Sequence, residues 1–195
     1  MENKKTTQES FRYIKLGKVR FIGIDIWHGQ KMRSSHGNGA SLEGFDLYGS
    51  WDDLWARSGE FLPALDALAE KYGTDITEAC SMMHHNGNEV DSENHFLAGR
   101  FFKAGTSVPE GYDYYDVPTE NAAYAVYATN KYDGALGSAY YTTRDKILAD
   151  GVGIPYPHAY WHADVYTDGR PHEGNYRFGY MFSVDKKAGD LTTEK

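Results

Sequence analysis

The chain has little of several features that mark familiar classes of protein. It has one cysteine, Cys80, so it cannot form an internal disulfide, and this is typical of a protein kept in a reducing compartment. No apolar run approaches the roughly 20 residues that span a bilayer, and the polar start, residues 1–5, lacks the apolar segment of a secretory signal. We therefore expect a cytoplasmic protein that does not enter a membrane.

Positive charge is also scarce. Lysine and arginine number 20 against 28 aspartate and glutamate residues, for a net charge of −8. A protein that follows a phosphate backbone needs a basic face, so we expect no direct binding of nucleic acid. The chain also lacks a P-loop, a zinc-binding cysteine pair, a His-Glu-x-x-His helix and a Gly-x-Ser-x-Gly elbow. No metal and no cofactor is predicted.

Aliphatic residues are few, but aromatic residues are abundant. Leucine, isoleucine, valine and phenylalanine make up 35 of 195 residues, which is close to the composition of disordered chains. The 16 tyrosines and 4 tryptophans compensate, because each buries a large apolar surface and keeps one polar atom. This length and composition predict one folded domain with an unusual number of aromatic side chains.

The pattern of apolar residues indicates an internal repeat. Strand, helix, strand and strand follow one another twice, in halves of about 11–104 and 112–185, and Phe96–Phe102 resembles Tyr176–Phe182. We predict a single α+β domain over 11–185, with a tandem β-α-β-β repeat that forms an antiparallel sheet with two main helices. Residues 1–10 and 186–195 are polar and are predicted to be disordered. The predicted strands are 13–27 with a break at Gly17, 76–84, 95–103, 124–127, 159–167 and 175–184, and the helices are 51–72 with a break at Gly59 and Pro63, and 134–149.

One predicted strand carries an informative alternation. Trp161, Ala163 and Val165 would face the core, and the opposite side would carry His158, Tyr160, His162, Asp164 and Tyr166. That second set either faces solvent or lines a cleft, where aromatic walls and one carboxylate would suit an amphipathic cation. A metal site is the weaker hypothesis. His158 and His162 are four residues apart, which separates their imidazoles by roughly 13 Å along a strand, too far for one ion.

The remaining candidates are tryptophans, histidines and one long connection. Trp27 and Trp55 either pack in the core or form pocket walls, and the pair His84–His85 is predicted to lie on the surface. Residues 28–50 contain five glycines and no clear periodicity, which is typical of a functional or a disordered loop. We predict a lid that is ordered by ligand, with a solvated insertion as the alternative.

Several short motifs resemble the gyrase-inhibitor-like (GyrI-like) family, the effector-binding domain that is also attached to AraC-type transcription activators. The resemblance covers about residues 11–185, and each motif is short. The motifs are Val19 with Ile22–Ile24, Asp53–Trp55, Val108–Gly111, Val117–Pro118 before Tyr124–Tyr127, and Ala163–Tyr166. In this chain Asp164 stands where the family has glutamate, and Ala163 stands where it has phenylalanine.

The resemblance implies a central ligand cleft with an acid among aromatic residues. The acid corresponds to Asp164, with Tyr166 beside it, and the predicted ligand-binding residues are Trp27, Trp55, Tyr160, His162, Asp164, Tyr166 and Tyr180. The implied function is binding or sequestering of an amphipathic drug or toxin, with cations among the candidate ligands and a homodimer allowed.

The resemblance is also compatible with an enzymatic function. The alternative is a hydrolase that opens the cyclopropane ring of DNA-alkylating natural products, with Asp164, His162 and Tyr166 as catalytic candidates. A third hypothesis is haem binding through His162 or His84, as in the distantly similar SOUL proteins.

Overall fold

The computed structural model describes residues 6–25, 51–85, 94–130, 135–154, 161–167 and 176–185. Its elements are β1 (Thr6–Lys15), β2 (Val19–Asp25), α1 (Trp51–Ala56), a 3-10 turn (Ser58–Glu60), α2 (Leu62–Tyr72), β3 (Ala79–His85), β4 (Asn94–Lys103), β5 (Asp113–Asp116), β6 (Asn121–Thr129), α3 (Ala135–Ala149), β7 (Trp161–Tyr166) and β8 (Tyr176–Ser183).

The strands form one antiparallel sheet in the order β1-β6-β8-β7-β3-β4-β2-β5. This confirms the predicted α+β class and the repeat, because β2-β4-β3 and β6-β8-β7 have the same arrangement. Gly99 pairs with Cys80, Gly179 pairs with Val165, and Cys80 pairs with Val165. An approximate twofold axis therefore passes between β3 and β7, where the two halves meet.

Each half also has an opening strand that the predicted repeat lacks. β1 precedes β2 along the chain but pairs with β6, and β5 precedes β6 but pairs with β2. The two halves thus exchange their first strands. The prediction of a disordered N-terminus is wrong for residues 6–10, because they belong to β1 and hydrogen-bond to β6; for example, the Tyr127 hydroxyl donates to Gln8.

The sheet must curve so that its edges approach each other. β1 and β2 lie six strand positions apart, which is about 29 Å in a flat sheet. Only residues 16–18 connect them, and such a segment reaches at most about 14 Å. Backbone hydrogen bonds from Leu16 to Glu120, 2.8 Å, and from Val117 to Val19, 3.1 Å, extend the β1–β6 and β2–β5 pairings into the connecting segments.

Curvature gives the sheet two different faces, and both are apolar. The inner face encloses a buried cluster that includes Phe21, Met82, Phe101, Trp161 and Met181. The outer face, called the helix face below, packs α2 on β4, and α3 on β8, β6 and β1. The two helical regions therefore lie at either side of the central strands β7 and β3.

The first helical region is interrupted where the sequence predicts it. α1 ends at Ala56, the 3-10 turn follows, and Pro63 lies in the first turn of α2, where its missing N–H costs no hydrogen bond. Leu65 is fully buried against Ile22 and Phe102. None of the helices that the structure describes is both long and apolar enough to cross a membrane.

Candidate functional site

The candidate site is the strip of the helix face between the two helical regions. Its floor is formed by β7 and β3, which pair with each other at the centre of the sheet. One wall consists of α1 and the residues that follow it, and the other consists of α3. We call this strip the cleft.

β7 has the alternation that the sequence predicts. Trp161, Ala163 and Val165 are fully buried in the inner cluster. His162, Asp164 and Tyr166 therefore share the helix face, because successive strand residues point to opposite sides. Asp164 is partly exposed at the centre of the floor, where its register partners are Ser81 on β3 and Tyr180 on β8.

The α3 side of the cleft is a cluster of aromatic rings around His162. Nδ1 of His162 lies 2.8 Å from the Tyr180 hydroxyl, and the Tyr140 ring meets the imidazole edge-on at 5.4 Å. Burial and the nearby Asp164 carboxylate raise the pKa of Tyr180 well above its ordinary value. Tyr180 therefore stays protonated and can donate a hydrogen bond to a neutral His162.

The α1 side of the cleft is built around Tyr166. Its hydroxyl lies 3.1 Å from Oγ of Ser81, and its ring contacts Trp55 at 4.5 Å between centroids. Trp55 is 8% exposed, and its indole N–H has no hydrogen-bond partner among the residues that the structure describes. Trp55 and Tyr166 thus provide a buried apolar wall with an unsatisfied donor.

The central strands contribute one acidic side chain to the floor. Asp164 is the only acidic residue in the four central strands, β8, β7, β3 and β4. On the same face, the guanidinium of Arg100 donates to Asp66 on α2, at 2.6 Å, and to the carbonyl of Thr77. Arg100 therefore has an acidic partner of its own on α2, and Asp164 is the carboxylate that the central strands contribute to this face.

The structure brings five of the seven predicted ligand-binding residues to one face. Three of them alternate along β7, namely His162, Asp164 and Tyr166. Tyr180 is the register partner of Asp164 on β8, and Trp55 packs on Tyr166. The other two, Trp27 and Tyr160, lie outside the described residues, and so does the predicted lid, residues 28–50.

One sequence interpretation is wrong. His84 does not lie on the surface, because it is 4% exposed on the inner face and stacks on Tyr115 at 3.9 Å. It faces away from the cleft and cannot share a ligand with His162, which removes it as a haem ligand there. No group of three or more metal-binding side chains occurs within the described parts of the chain.

Two functional candidates were missed by sequence reasoning. Ser81 is 5% exposed directly opposite Asp164, and Tyr140 of α3 lies against His162. The signal for Tyr140 was present, since it belongs to the apolar stripe of α3. Nothing in the sequence distinguishes Ser81, because its role depends on pairing between β3 and β7, more than 80 residues apart.

Comparison with known proteins shows the fold. No protein-family model and no curated protein sequence matches the chain. A candidate bacterial transcription regulation protein from Staphylococcus aureus MU50 is 13% identical, with a TM-score of 0.54 over 91% of this chain and 99% of that one. SAV2435, in a structure bound to tetraphenylphosphonium, is also 13% identical, with a TM-score of 0.56 over 90% of this chain and 94% of its own. At this identity the likeness extends to the fold.

Proposed function

We propose that this chain binds lipophilic organic monocations in the cleft, as a sequestering or sensing protein of the GyrI-like type. The observation that carries the proposal is the position of Asp164. Among the described residues it is the one carboxylate at the centre of the floor, and the side chains next to it are those of His162, Tyr166, Ser81 and Tyr180. An organic cation gains both charge pairing and ring contacts in such a site.

The shape of the cleft supports a broad, aromatic ligand. Tyr140 and Tyr180 border Asp164 on one side, and Trp55 and Tyr166 border it on the other. SAV2435, which shares the fold, has a structure bound to tetraphenylphosphonium, an aromatic cation. Its four rings around one positive charge match the chemistry of this cleft, so it is the probe of choice.

The proposal is tested by titrating the protein with tetraphenylphosphonium and recording the heat of binding and tryptophan fluorescence. We expect Asp164→Asn to weaken binding about tenfold or more, because it removes the charge and keeps the shape. Asp145→Asn is the matched control, since Asp145 is exposed on α3 and pairs with Arg144. Equal affinity of the wild type and Asp164→Asn would contradict the proposed charge pairing.

A second candidate function is hydrolysis of a cyclopropane-bearing alkylating compound. The hydrogen bond between Tyr180 and His162, next to Asp164, favours it, because a protonated tyrosine and a neutral imidazole are an acid and a base. The test is incubation with such a compound in molar excess. Several turnovers, abolished by His162→Asn, would support catalysis, whereas protection limited to one equivalent would support binding alone.

A further inference from the structure

We propose that His162 sets the charge specificity of the cleft: as a neutral imidazole it admits a monocation beside Asp164, and as an imidazolium it excludes one. This inference rests on the proposed function, because it requires a cation in the cleft. It goes further in that it assigns a specificity-determining residue and a dependence on pH.

The first argument is the environment of the imidazole. Aromatic rings surround it, with Tyr140 at 5.4 Å, Tyr180 at 5.8 Å and Phe182 at 5.7 Å between ring centroids. Such an environment solvates a charge less well than water does, so a positive charge on the imidazole would act on its neighbours with little screening. The three rings also hold the imidazole in place, so a change of its charge changes the electrostatic potential at one fixed position in the cleft.

The second argument is the hydrogen bond to Tyr180. The Tyr180 hydroxyl is buried, and within the described residues its hydrogen-bond partner is Nδ1 of His162. A neutral imidazole can accept that bond, but in an imidazolium both nitrogens are donors. Protonation would force Nδ1 to donate to the tyrosine oxygen, and the hydroxyl proton would lose its acceptor.

The third argument is the proximity of Asp164. His162 and Asp164 are two residues apart on one face of β7, which places their Cα atoms roughly 7 Å apart. An imidazolium there would offset the negative charge that attracts a cation. The other titratable groups that face His162 among the described residues are Tyr140 and Tyr180, and both have a raised pKa, mainly because they are buried.

The remaining neighbours of His162 do not replace its charge. Its register partner on β3 is Met83, which is neutral. The guanidinium of Arg144 on α3 lies 6.0 Å from the centroid of the Tyr140 ring and pairs with Asp145 at 2.9 Å. Among the described neighbours of Asp164, His162 is thus the side chain that can exist as a neutral and as a cationic ring.

The sign of the pH dependence follows from linkage. A cation binds the form with neutral His162 more tightly, so its binding lowers the pKa of His162 and releases a proton near neutral pH. The affinity for a permanently charged cation should therefore be high above the pKa of His162 and fall as the pH drops through it. Because tetraphenylphosphonium does not titrate, any change in affinity originates in the protein.

The experiment measures tetraphenylphosphonium affinity calorimetrically at about pH 8 and about pH 5.5. We expect the wild type to bind tenfold or more weakly at the lower pH. His162→Asn, whose amide oxygen can replace Nδ1 as acceptor for Tyr180, should change less than about twofold. Asp145→Asn should retain the dependence of the wild type. The same affinity at both values in the wild type, or an unchanged dependence in His162→Asn, would overturn the inference.

A second measurement needs no variant. Binding to the wild type near pH 6.5 is repeated in two buffers of different ionisation enthalpy, and the difference in heat gives the number of protons released. Release of a fraction of a proton is expected, and none would overturn the inference. Binding without pH dependence would leave the proposed function intact, whereas absence of binding at both pH values would overturn both.

Discussion

Two hydrogen-bonded pairs hold the side chains beside Asp164. Tyr180 is paired with His162 on the α3 side, and Tyr166 is paired with Ser81 on the α1 side. Both pairs are largely removed from solvent, so an unpaired partner would carry a desolvation cost. At the residue scale, the cleft is therefore preorganised: its aromatic rings need not find partners when a ligand enters.

The pairing of Ser81 with Tyr166 can be measured as a coupling energy. We expect Ser81→Ala and Tyr166→Phe each to lower the free energy of unfolding by about 1–2 kcal/mol, because each leaves one buried hydroxyl without this partner. The double variant should lose about 1 kcal/mol less than the sum of the two. Urea unfolding of the four proteins gives the result, and additive effects would show that the two hydroxyls do not stabilise each other.

Sequence reasoning at this scale succeeded where the period of a strand decides orientation. The alternation of β7 correctly places Trp161, Ala163 and Val165 in the core and Asp164 on the other face. It failed for His84, because a pair of adjacent histidines looks like a surface feature until the curvature of the sheet encloses one of them. It also could not find Ser81, whose partner is chosen by tertiary pairing.

At the scale of elements, the inner face depends on close approach of β2 and β4. Gly23 and Gly99 are register partners, and a Cβ on either would collide with the backbone of the other strand. The same row of register partners runs from Gly99 through Cys80 and Val165 to Gly179. At Gly179 an added Cβ would collide with the Tyr124 ring. These positions let the sheet bend around its core.

Adding a methyl group at Gly99 tests the close approach of β2 and β4. Gly99→Ala should reduce the free energy of unfolding by about 3 kcal/mol or more, because backbone atoms of Ile22 and Gly23 cannot move aside as a side chain would. Gly59→Ala is the matched control, since a Cβ there has nothing within 4 Å, and its effect should stay within about 0.5 kcal/mol. Equal stability of the two variants in urea would contradict the close approach.

Apolar elements were easier to predict than polar ones. The break between α1 and α2 was predicted because Pro63 fits the first turn of a helix and not its interior. Residues 6–12 of β1 and all of β5 were missed as strands because both lie in polar segments at the edges of the sheet. Their stability comes from pairing with β6 and β2, and a short polar segment carries no apolar alternation that would reveal it.

At the scale of the whole molecule, the repeat explains where the cleft lies. The approximate twofold axis passes between β3 and β7, so each half contributes one helical wall and one floor strand. The two walls differ chemically, with His162, Tyr140 and Tyr180 on one side and Trp55 with Tyr166 on the other. A symmetric frame thus holds an asymmetric site, with Asp164 at its centre.

We propose that the cleft selects positive charge, and two ions of the same shape can test this selectivity. Tetraphenylphosphonium and tetraphenylborate present four phenyl rings around one central atom and differ mainly in the sign of their charge. Calorimetric titration at about pH 8 should show saturable binding of the cation and at least about tenfold weaker binding of the anion. Equal affinity for the two ions, or tighter binding of the borate, would contradict a role for Asp164 in recognising charge.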